Sequence, residues 1–202
     1  MRFWKSRRLP SKPLVTIVVV AFERGPQLAC LINSLRSQTY TNLEVLVYHD
    51  GPISPKTMEH FTHATHGDDR FRLIVGKARQ QKHGYPMRTQ GLQEAKGEYV
   101  GFANDDVYYC PVYVEALVSN LLENSSDFAY CDLVHSHTQW KPMISQLKRG
   151  HIDIGNWLVK KSMAVKALPF GAEFAADWFF IDRMIKLGMR AHKVGGMFYV
   201  HN

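Results

Sequence analysis

The sequence predicts an α/β domain built on a doubly wound, mostly parallel β-sheet. Three observations support this prediction. Apolar, strand-like segments alternate with segments of helical period along most of the chain. The run at 97–106 has the composition of a buried strand and ends in two adjacent carboxylates. The 202 residues are enough for one domain with its own core, and no repeat or linker divides them. We therefore expect a single domain over 14–202, preceded by a basic segment over 1–13.

The first half of the chain reads as regular strand and helix units. The apolar run at 14–22 is a first strand, too short to span a bilayer. Pro26 suits the first turn of the following helix, in which leucine and isoleucine recur at helical spacing until about Gln38. The next elements are a strand at 43–49, a helix at 55–65, a strand at 71–75 and a helix at 87–95 that leads into the central strand.

The second half is less regular. Pro111 opens a helix with one apolar stripe, and a strand follows at 127–134. After a polar stretch at 135–150 we expect a strand at 152–159, a short helix near 162, a helix at 174–187 and a last strand at 198–200. The buried stripe predicted for the long helix consists of Phe174, Trp178, Ile181 and Ile185.

The composition is that of a soluble globular protein, with 46% apolar and 21% charged residues. The formal net charge is +7, but the first 13 residues contain five cations and no acid, which leaves +2 for the rest. A nucleic-acid-binding surface spread over the fold is therefore not indicated. Cys30, Cys110 and Cys131 lie among apolar neighbours without metal-ligand spacing, which predicts a reducing compartment, the cytoplasm.

The basic segment at 1–13 also contains Phe3 and Trp4. Cations interleaved with aromatic residues are typical of a weak interfacial anchor, so a peripheral contact with the inner face of a membrane is one prediction. A disordered, solvated tail is the alternative, and the sequence leaves both open.

Polar residues follow three of the predicted strands at the point where each strand ends. Glu23 comes after the first strand, Asp50 after the second, and Asn104, Asp105 and Asp106 after the fourth. Ligands of open α/β sheets bind at this carboxyl edge. Two adjacent carboxylates repel each other, and a divalent cation or a cluster of donors relieves that repulsion. The alternative is a simple turn, which Asn and Asp also favour.

Other motifs restrict the chemistry. The turn after the first strand contains a single glycine, Gly25, so the dinucleotide fingerprint is absent, and there is no Walker A loop. The loop from 76 to 88 carries Lys77, Arg79, Lys82 and Arg88 without an acid, which suits an anionic ligand such as a diphosphate. A solvated basic loop is the alternative for the three outer cations.

The order of these motifs resembles family 2 glycosyltransferases of the GT-A fold, a Rossmann-like architecture. The resemblance extends from about Pro13 to His201 and is most specific between Arg88 and Asp106. It implies that the turn at Ala21, Phe22 and Glu23, together with Asp50, holds the nucleotide base, usually uracil. It further implies nucleotide contacts from Arg88, Asn104 and Asp105, and a Mn²⁺ or Mg²⁺ ion on Asp106. It makes His201 a further ligand of the metal or of the diphosphate. Asp177, at the start of a late helix, inherits the role of catalytic base.

Two positions depart from the family pattern. Ala176 replaces the first acid of the usual Glu-Asp pair, which puts an acceptor contact in doubt but leaves Asp177 in place. Asn104 stands where a first Asp is common, which weakens the D-x-D match.

The implied function is inverting, metal-dependent transfer of a sugar from a nucleoside-diphosphate sugar, with UDP as the expected nucleotide, to a hydroxyl acceptor. The expected acceptor is a glycan or a lipid-linked glycan of polysaccharide or cell-envelope synthesis. Two alternatives stay open: a catalytically silent module that binds nucleotide sugars, and a sugar nucleotidyltransferase.

Overall fold

The computed structural model describes residues 12–171, 173 and 175–202. In chain order the elements are β1 (Val15–Ala21), α1 (Gly25–Arg36), β2 (Leu43–His49), α2 (Pro55–Thr65), β3 (Phe71–Val75), α3 (Tyr85–Glu94), β4 (Tyr99–Asn104), β5 (Val107–Tyr109), α4 (Tyr113–Glu123), β6 (Phe128–His135), β7 (Pro142–Met143), β8 (Trp157–Lys160), α5 (Lys161–Lys166), α6 (Ala176–Lys186) and β9 (Ala191–His201). The sequence predicted the elements of the first half to within a few residues, apart from the short strand β5.

One sheet forms the centre of the fold, with the strand order β3-β2-β1-β4-β8-β6-β9-β5 and β7 beside β6. The strands β3, β2, β1 and β4 are parallel, as expected for successive βα units. Their register places Ala21 beside His49 and Val20 beside Asn104. The three strand ends singled out in the sequence therefore meet at one edge of the sheet.

The second half of the sheet is mixed, and here the sequence-based prediction needs correction. The predicted strand at 152–159 is only Trp157–Lys160, and it is antiparallel to both β4 and β6. The last strand is much longer than 198–200, because β9 begins at Ala191 and pairs in parallel with β6 through an irregular register. This pairing sets His135 directly beside His201.

Helices cover both faces of the sheet, as a doubly wound fold requires. On one face α1, α2 and α4 pack through residues such as Leu28, Phe61 and Leu117. On the other face α3, α5 and α6 pack through Leu92, Ala164 and Phe180. None of the helices in the described part of the chain is both long and apolar enough to cross a lipid bilayer.

The predicted stripe of α6 was wrong in part. The helix begins at Ala176, and its buried side chains are Ala176, Phe180, Ile181 and Met184. Ile185 is 38% exposed and Trp178 is only partly buried, while Phe174 lies outside the described residues. Asp177 nevertheless lies in the first turn of the helix, as the sequence predicted.

Candidate active site

A cleft of about 830 Å³ opens at the carboxyl edge of the sheet, over the ends of β1, β2 and β4. It is lined by nine of the ten residues singled out in the sequence, namely Ala21, Phe22, Asp50, Arg88, Asn104, Asp105, Asp106, Asp177 and His201. Parts of the chain that are far apart in sequence thus supply one common site. Of the cations in the loop from 76 to 88, Arg79, Lys82 and Arg88 line the cleft, whereas Lys77 does not.

Glu23 is the tenth residue, and its side chain is directed elsewhere. Its carboxylate accepts hydrogen bonds from the backbone N–H of Ser54 (2.8 Å) and from Thr57 Oγ1 (3.0 Å), at the N-terminus of α2. The hydrogen bonds with Ser54 keep the pKa of this carboxyl below its ordinary value. Glu23 therefore ties the turn after β1 to α2. Its neighbours Phe22 and Arg24 line the cleft, whereas Glu23 itself does not.

Asp50 holds the loop that follows β3. Its two carboxylate oxygens accept hydrogen bonds from the backbone N–H groups of Gln80 (2.6 Å) and Gln81 (3.0 Å). The same loop places the guanidinium of Arg79 over the ring of Phe22, 3.7 Å from the ring centre. Gln81 has a positive φ of 59°, a conformation that costs free energy and is maintained here by these contacts. Asp50 thus shapes the wall where the resemblance places the nucleotide base.

Arg88 is buried beneath the cleft. Its guanidinium donates a hydrogen bond to the backbone carbonyl of His83 (2.6 Å) and another to the side-chain oxygen of Asn104. The side chain is only 2% exposed, and burial lowers its pKa. Because the two donors point at fixed acceptors on the turn that precedes α3 and on β4, Arg88 links the basic loop to the central strand.

Asp105 and Asp106 form the tight turn between β4 and β5, and their side chains enter the cleft. Asp105 accepts a hydrogen bond from the backbone N–H of Phe22 (2.9 Å), and Arg24 forms an ion pair with both carboxylates. Burial raises the pKa of Asp105. Burial acts in the same direction on Asp106, but the neighbouring His201 outweighs it and lowers the pKa of that carboxyl. Asp105 and Asp106 therefore form a turn and also line the cleft, so the two interpretations of this motif do not exclude each other.

His201 joins Asp106 to the carboxylate of Asp153, whose side chain is 15% exposed and which the sequence offered only as a fallback for the base. Its Nε2 lies 3.5 Å from Asp106 Oδ1, and its Nδ1 lies 3.0 Å from Asp153 Oδ2. Burial of the imidazole lowers its pKa, but Asp106 and Asp153 outweigh this effect and raise the pKa to about 9. His135 packs against the same ring, with 4.4 Å between the ring centres. The signal that could have found His135 is its position at the end of β6, beside the end of β9.

Asp177 reaches the cleft from the first turn of α6. Its Oδ1 accepts a hydrogen bond from the backbone N–H of Trp178 (2.8 Å). Burial raises the pKa of Asp177, and the negative charge of Asp153 adds to this effect. A carboxyl with a raised pKa accepts a proton more readily, which is the property that a general base needs. Two further cations line the cleft without having been predicted, Arg24 at the start of α1 and Arg149 in the loop before β8.

The donor atoms of the cleft fit a divalent cation. Asp106 Oδ1 is buried, and within the described residues it accepts no hydrogen bond of good geometry. Single ligand atoms of His135, Asp153 and His201 all lie within 4.8 Å of one another. Carboxylate oxygens and imidazole nitrogens are common ligands of Mn²⁺ and other divalent ions. Asp106 and the set of His135, Asp153 and His201 therefore both have the chemistry that a divalent cation needs.

Comparison with known proteins places this site in a family. Residues 16–185 match the family model described as glycosyl transferase family 2. Among curated proteins, the chain is 27% identical over 117 residues to the Escherichia coli UDP-Glc:alpha-D-GlcNAc-diphosphoundecaprenol beta-1,3-glucosyltransferase WfgD, a match that covers 58% of this chain and 44% of that protein. It is 28% identical over 118 residues to the glycosyltransferase GlyA of Streptococcus pneumoniae, with 57% of this chain and 16% of that protein covered. The chain thus spans less than half the length of these relatives.

Solved structures show the same fold at low identity. Residues 1–349 of Staphylococcus aureus TarS in complex with UDP-GlcNAc superpose with a TM-score of 0.76 and 17% identity, over 93% of this chain and 58% of that one. The mannosyltransferase PcManGT from Pyrobaculum calidifontis, in complex with GDP-Man and Mn²⁺, gives a TM-score of 0.74 and 17% identity, over 95% and 57% of the two chains. This likeness confirms the GT-A fold. Together with the family match over most of its length, it shows that the chain belongs to glycosyltransferase family 2.

Proposed function

We propose that this protein transfers a sugar from a UDP-sugar to a hydroxyl acceptor, with inversion at the anomeric carbon. The observation that carries the proposal is that one cleft contains the acid pair, His201 and Asp177 together. A group that can help a diphosphate leave and a group that can remove a proton from the acceptor are both needed for this reaction, and they face the same space.

The nucleotide half of the donor fits the side of the cleft formed by β1, β2 and the basic loop. Phe22 and Asp50 line this side. A base that stacks on Phe22 would take the place that the Arg79 guanidinium now occupies, and each Asp50 oxygen, which already accepts one backbone N–H, keeps a second lone pair for a donor of the base. Arg79 and Lys82 line the same side and supply positive charge for a diphosphate. Support for the nucleotide class comes from TarS, which binds UDP-GlcNAc, although PcManGT binds GDP-Man.

Asp106 and His201 would hold a Mn²⁺ or Mg²⁺ ion beside the diphosphate. When bound, such an ion neutralises the negative charge that develops on the leaving nucleoside diphosphate. The buried Asp106 Oδ1 and the Nε2 atom of His201, 3.5 Å away, would supply one oxygen and one nitrogen donor once the cation displaces the Nε2 proton. Asp105 orients the turn by accepting a hydrogen bond from the N–H of Phe22. As the family resemblance implies, its carboxylate would contact the ribose of the nucleotide.

Asp177 would take the proton of the acceptor hydroxyl. Its place in the first turn of α6 and its raised pKa both suit this role. A single base without a protein nucleophile corresponds to one displacement at the anomeric carbon, and one displacement inverts the configuration. The acceptor would enter on the side of Trp178 and Arg149, which line the cleft near Asp177.

The cellular role we propose is glycan assembly for the cell envelope. Its support is the similarity to WfgD, whose name specifies a lipid-linked diphosphate acceptor. A cytoplasmic location at the membrane surface, with contact through residues 1–13, would suit such an acceptor, although residues 1–11 lie outside the described part of the chain.

Release of nucleotide tests the proposal. The protein is incubated with UDP-sugars and Mn²⁺, and released UDP is measured, since donor hydrolysis needs no known acceptor. In parallel, nucleoside triphosphate and sugar phosphate are supplied and pyrophosphate is measured. We expect slow UDP release and no pyrophosphate. Pyrophosphate release would establish a nucleotidyltransferase instead. If the protein binds the donor but releases no UDP, even when candidate acceptors are added, it is a silent binding module.

A further inference from the structure

The imidazole of His201 lies between two carboxylates that it contacts through different nitrogens. Its Nε2 faces the cleft, 3.5 Å from Asp106 Oδ1 and 3.4 Å from the side-chain nitrogen of Asn104. Its Nδ1 lies 3.0 Å from Oδ2 of Asp153, which also lines the cleft. A divalent cation that binds Nε2 takes the place of the proton there, so the imidazole that holds it carries one proton only, on Nδ1, and donates it from that side. Whatever fixes Nδ1 therefore also determines what Nε2 can do in the cleft.

Asp153 is held rigidly enough to fix Nδ1. Its Oδ1 accepts hydrogen bonds from the hydroxyl of Tyr199 (2.7 Å) and the backbone N–H of Gly155 (3.1 Å). Its own backbone N–H donates to the side-chain oxygen of Asn156 (3.1 Å). With Oδ1 occupied by two donors, Oδ2 is the oxygen left for His201, and the carboxylate can act only as an acceptor towards it.

We propose that Asp153 is a positioning residue that accepts the Nδ1 proton of His201 and thereby presents the Nε2 lone pair, next to Asp106, to a divalent cation. The inference rests on the metal site of the proposed function. Histidines that bind metals generally donate their other N–H to a carboxylate or a carbonyl, which fixes the tautomer and the ring orientation. Loss of such a partner weakens metal binding by about 10-fold to 100-fold.

A competing arrangement would use Asp153 as a direct ligand, together with His135 and His201, whose ligand atoms lie within 4.8 Å of one another. Two observations favour the positioning role. The 3.0 Å separation of Nδ1 and Oδ2 is the length of a hydrogen bond. Asp106 Oδ1, which lies on the Nε2 side, is a buried oxygen of the cleft that accepts no hydrogen bond of good geometry from the described residues.

Titration with Mn²⁺ tests this assignment without any measurement of activity. Free Mn²⁺ is followed by electron paramagnetic resonance, and thermal unfolding without metal shows whether each variant is folded. We expect Asp153→Asn to weaken Mn²⁺ binding by about 10-fold to 100-fold. Asp106→Ala and His201→Ala should remove specific binding. His135→Ala and the surface control Asp182→Asn should stay within about twofold of the wild-type affinity, a span of about 0.4 kcal/mol.

The outcomes separate the two proposals. Wild-type affinity in a folded Asp153→Asn variant would overturn the positioning role while the metal site stands, provided that Asp106→Ala and His201→Ala still lose binding. If those two variants also bind normally, the metal site itself is wrong. A loss in His135→Ala as large as that in Asp153→Asn would show direct ligation. If Asp153→Asn fails to fold, Tyr199→Phe decides: it should weaken Mn²⁺ binding by a smaller factor, and an unchanged affinity would refute the assignment.

Discussion

Replacement of Asp177 by Asn removes the proposed base with little change of shape. Asn keeps an oxygen that can accept the hydrogen bond from the Trp178 N–H, so the first turn of α6 should persist. A positioned general base contributes about 10²-fold to 10⁴-fold to a rate. Turnover in Asp177→Asn should therefore fall by that factor, which corresponds to about 2.7–5.4 kcal/mol of activation free energy.

The effect on stability should be small by comparison. Loss of a negative charge in the first turn of a helix costs about 0.3–1 kcal/mol. Removal of a buried charge acts in the opposite direction, because burial disfavours the ionised form of Asp177. The net change in unfolding free energy should stay within about 1 kcal/mol, so a large loss of activity could not be attributed to unfolding.

The assay measures UDP release from a UDP-sugar, together with donor affinity from thermal shifts. Asp182→Asn is the matched control, because Asp182 lies on the same helix and forms an exposed ion pair with Lys186 (2.6 Å). The base must be ionised to act, and the pKa of Asp177 is raised. As pH falls, the activity of the wild type should therefore begin to decline at a higher pH than it would with a base of ordinary aspartate pKa. If Asp177→Asn keeps near wild-type turnover with unchanged donor affinity, the base lies elsewhere, with Glu173 or Asp153 as the next residues to test.

Further predictions concern the metal, the nucleotide wall, the fold and the basic segment. Asp106→Ala should abolish the extra thermal stabilisation that Mn²⁺ gives in the presence of UDP; an unchanged shift contradicts the metal role. Arg88→Lys should lower the unfolding free energy by about 1–3 kcal/mol in urea, because lysine cannot reach two separate acceptors as a guanidinium does. The pKa of Asp68 is lowered by its hydrogen bond with Arg70, so this carboxylate stabilises the fold above its unfolded pKa, and the stability is lost as pH falls through the lower folded value. Melting temperatures of wild type and Asp68→Asn should therefore differ at neutral pH and converge in acid. Deletion of residues 1–13 should reduce co-sedimentation with anionic vesicles at low salt, and equal pelleting of both forms refutes the anchor.

The side of the cleft formed by β1, β2 and β4 could be predicted from the sequence because it is built from regular βα units. Each strand from β1 to β4 is an apolar run with a clear end, and parallel pairing brings those ends to one edge. The pattern of strand ends alone therefore places Asp50 and Asp106 in a common site. Glu23 is the exception, since the sequence locates the turn but not the direction in which a side chain leaves it.

The other side of the cleft could not be predicted in the same way. Asp153 lies in an irregular loop, where neither helical nor strand periodicity indicates its surroundings. Ile185 was assigned to the buried face of α6, but the adjacent Met184 is buried instead, together with Phe180 one turn earlier. An error of one position in a short helix rotates its face by about 100°. The rotation of α6 depends on its packing against α5 and, through Phe180, against Phe102 of β4, not on the helix alone.

The pairing of β6 with β9 explains why the side of the cleft around His201 depends on long-range structure. His135 and His201 end two strands that are neighbours in space, but β7, β8, α5 and α6 separate them along the chain. Their register contains an irregularity near Asp132, and a shift of one residue there would turn each strand's side chains to the opposite face. Tyr199, two residues earlier on the same face of β9, and the backbone N–H of Gly155 hold the other oxygen of Asp153. The proposed metal ligand and its positioning carboxylate are thus specified together by one strand register, whereas Asp105 and Asp106 follow from the end of a single strand.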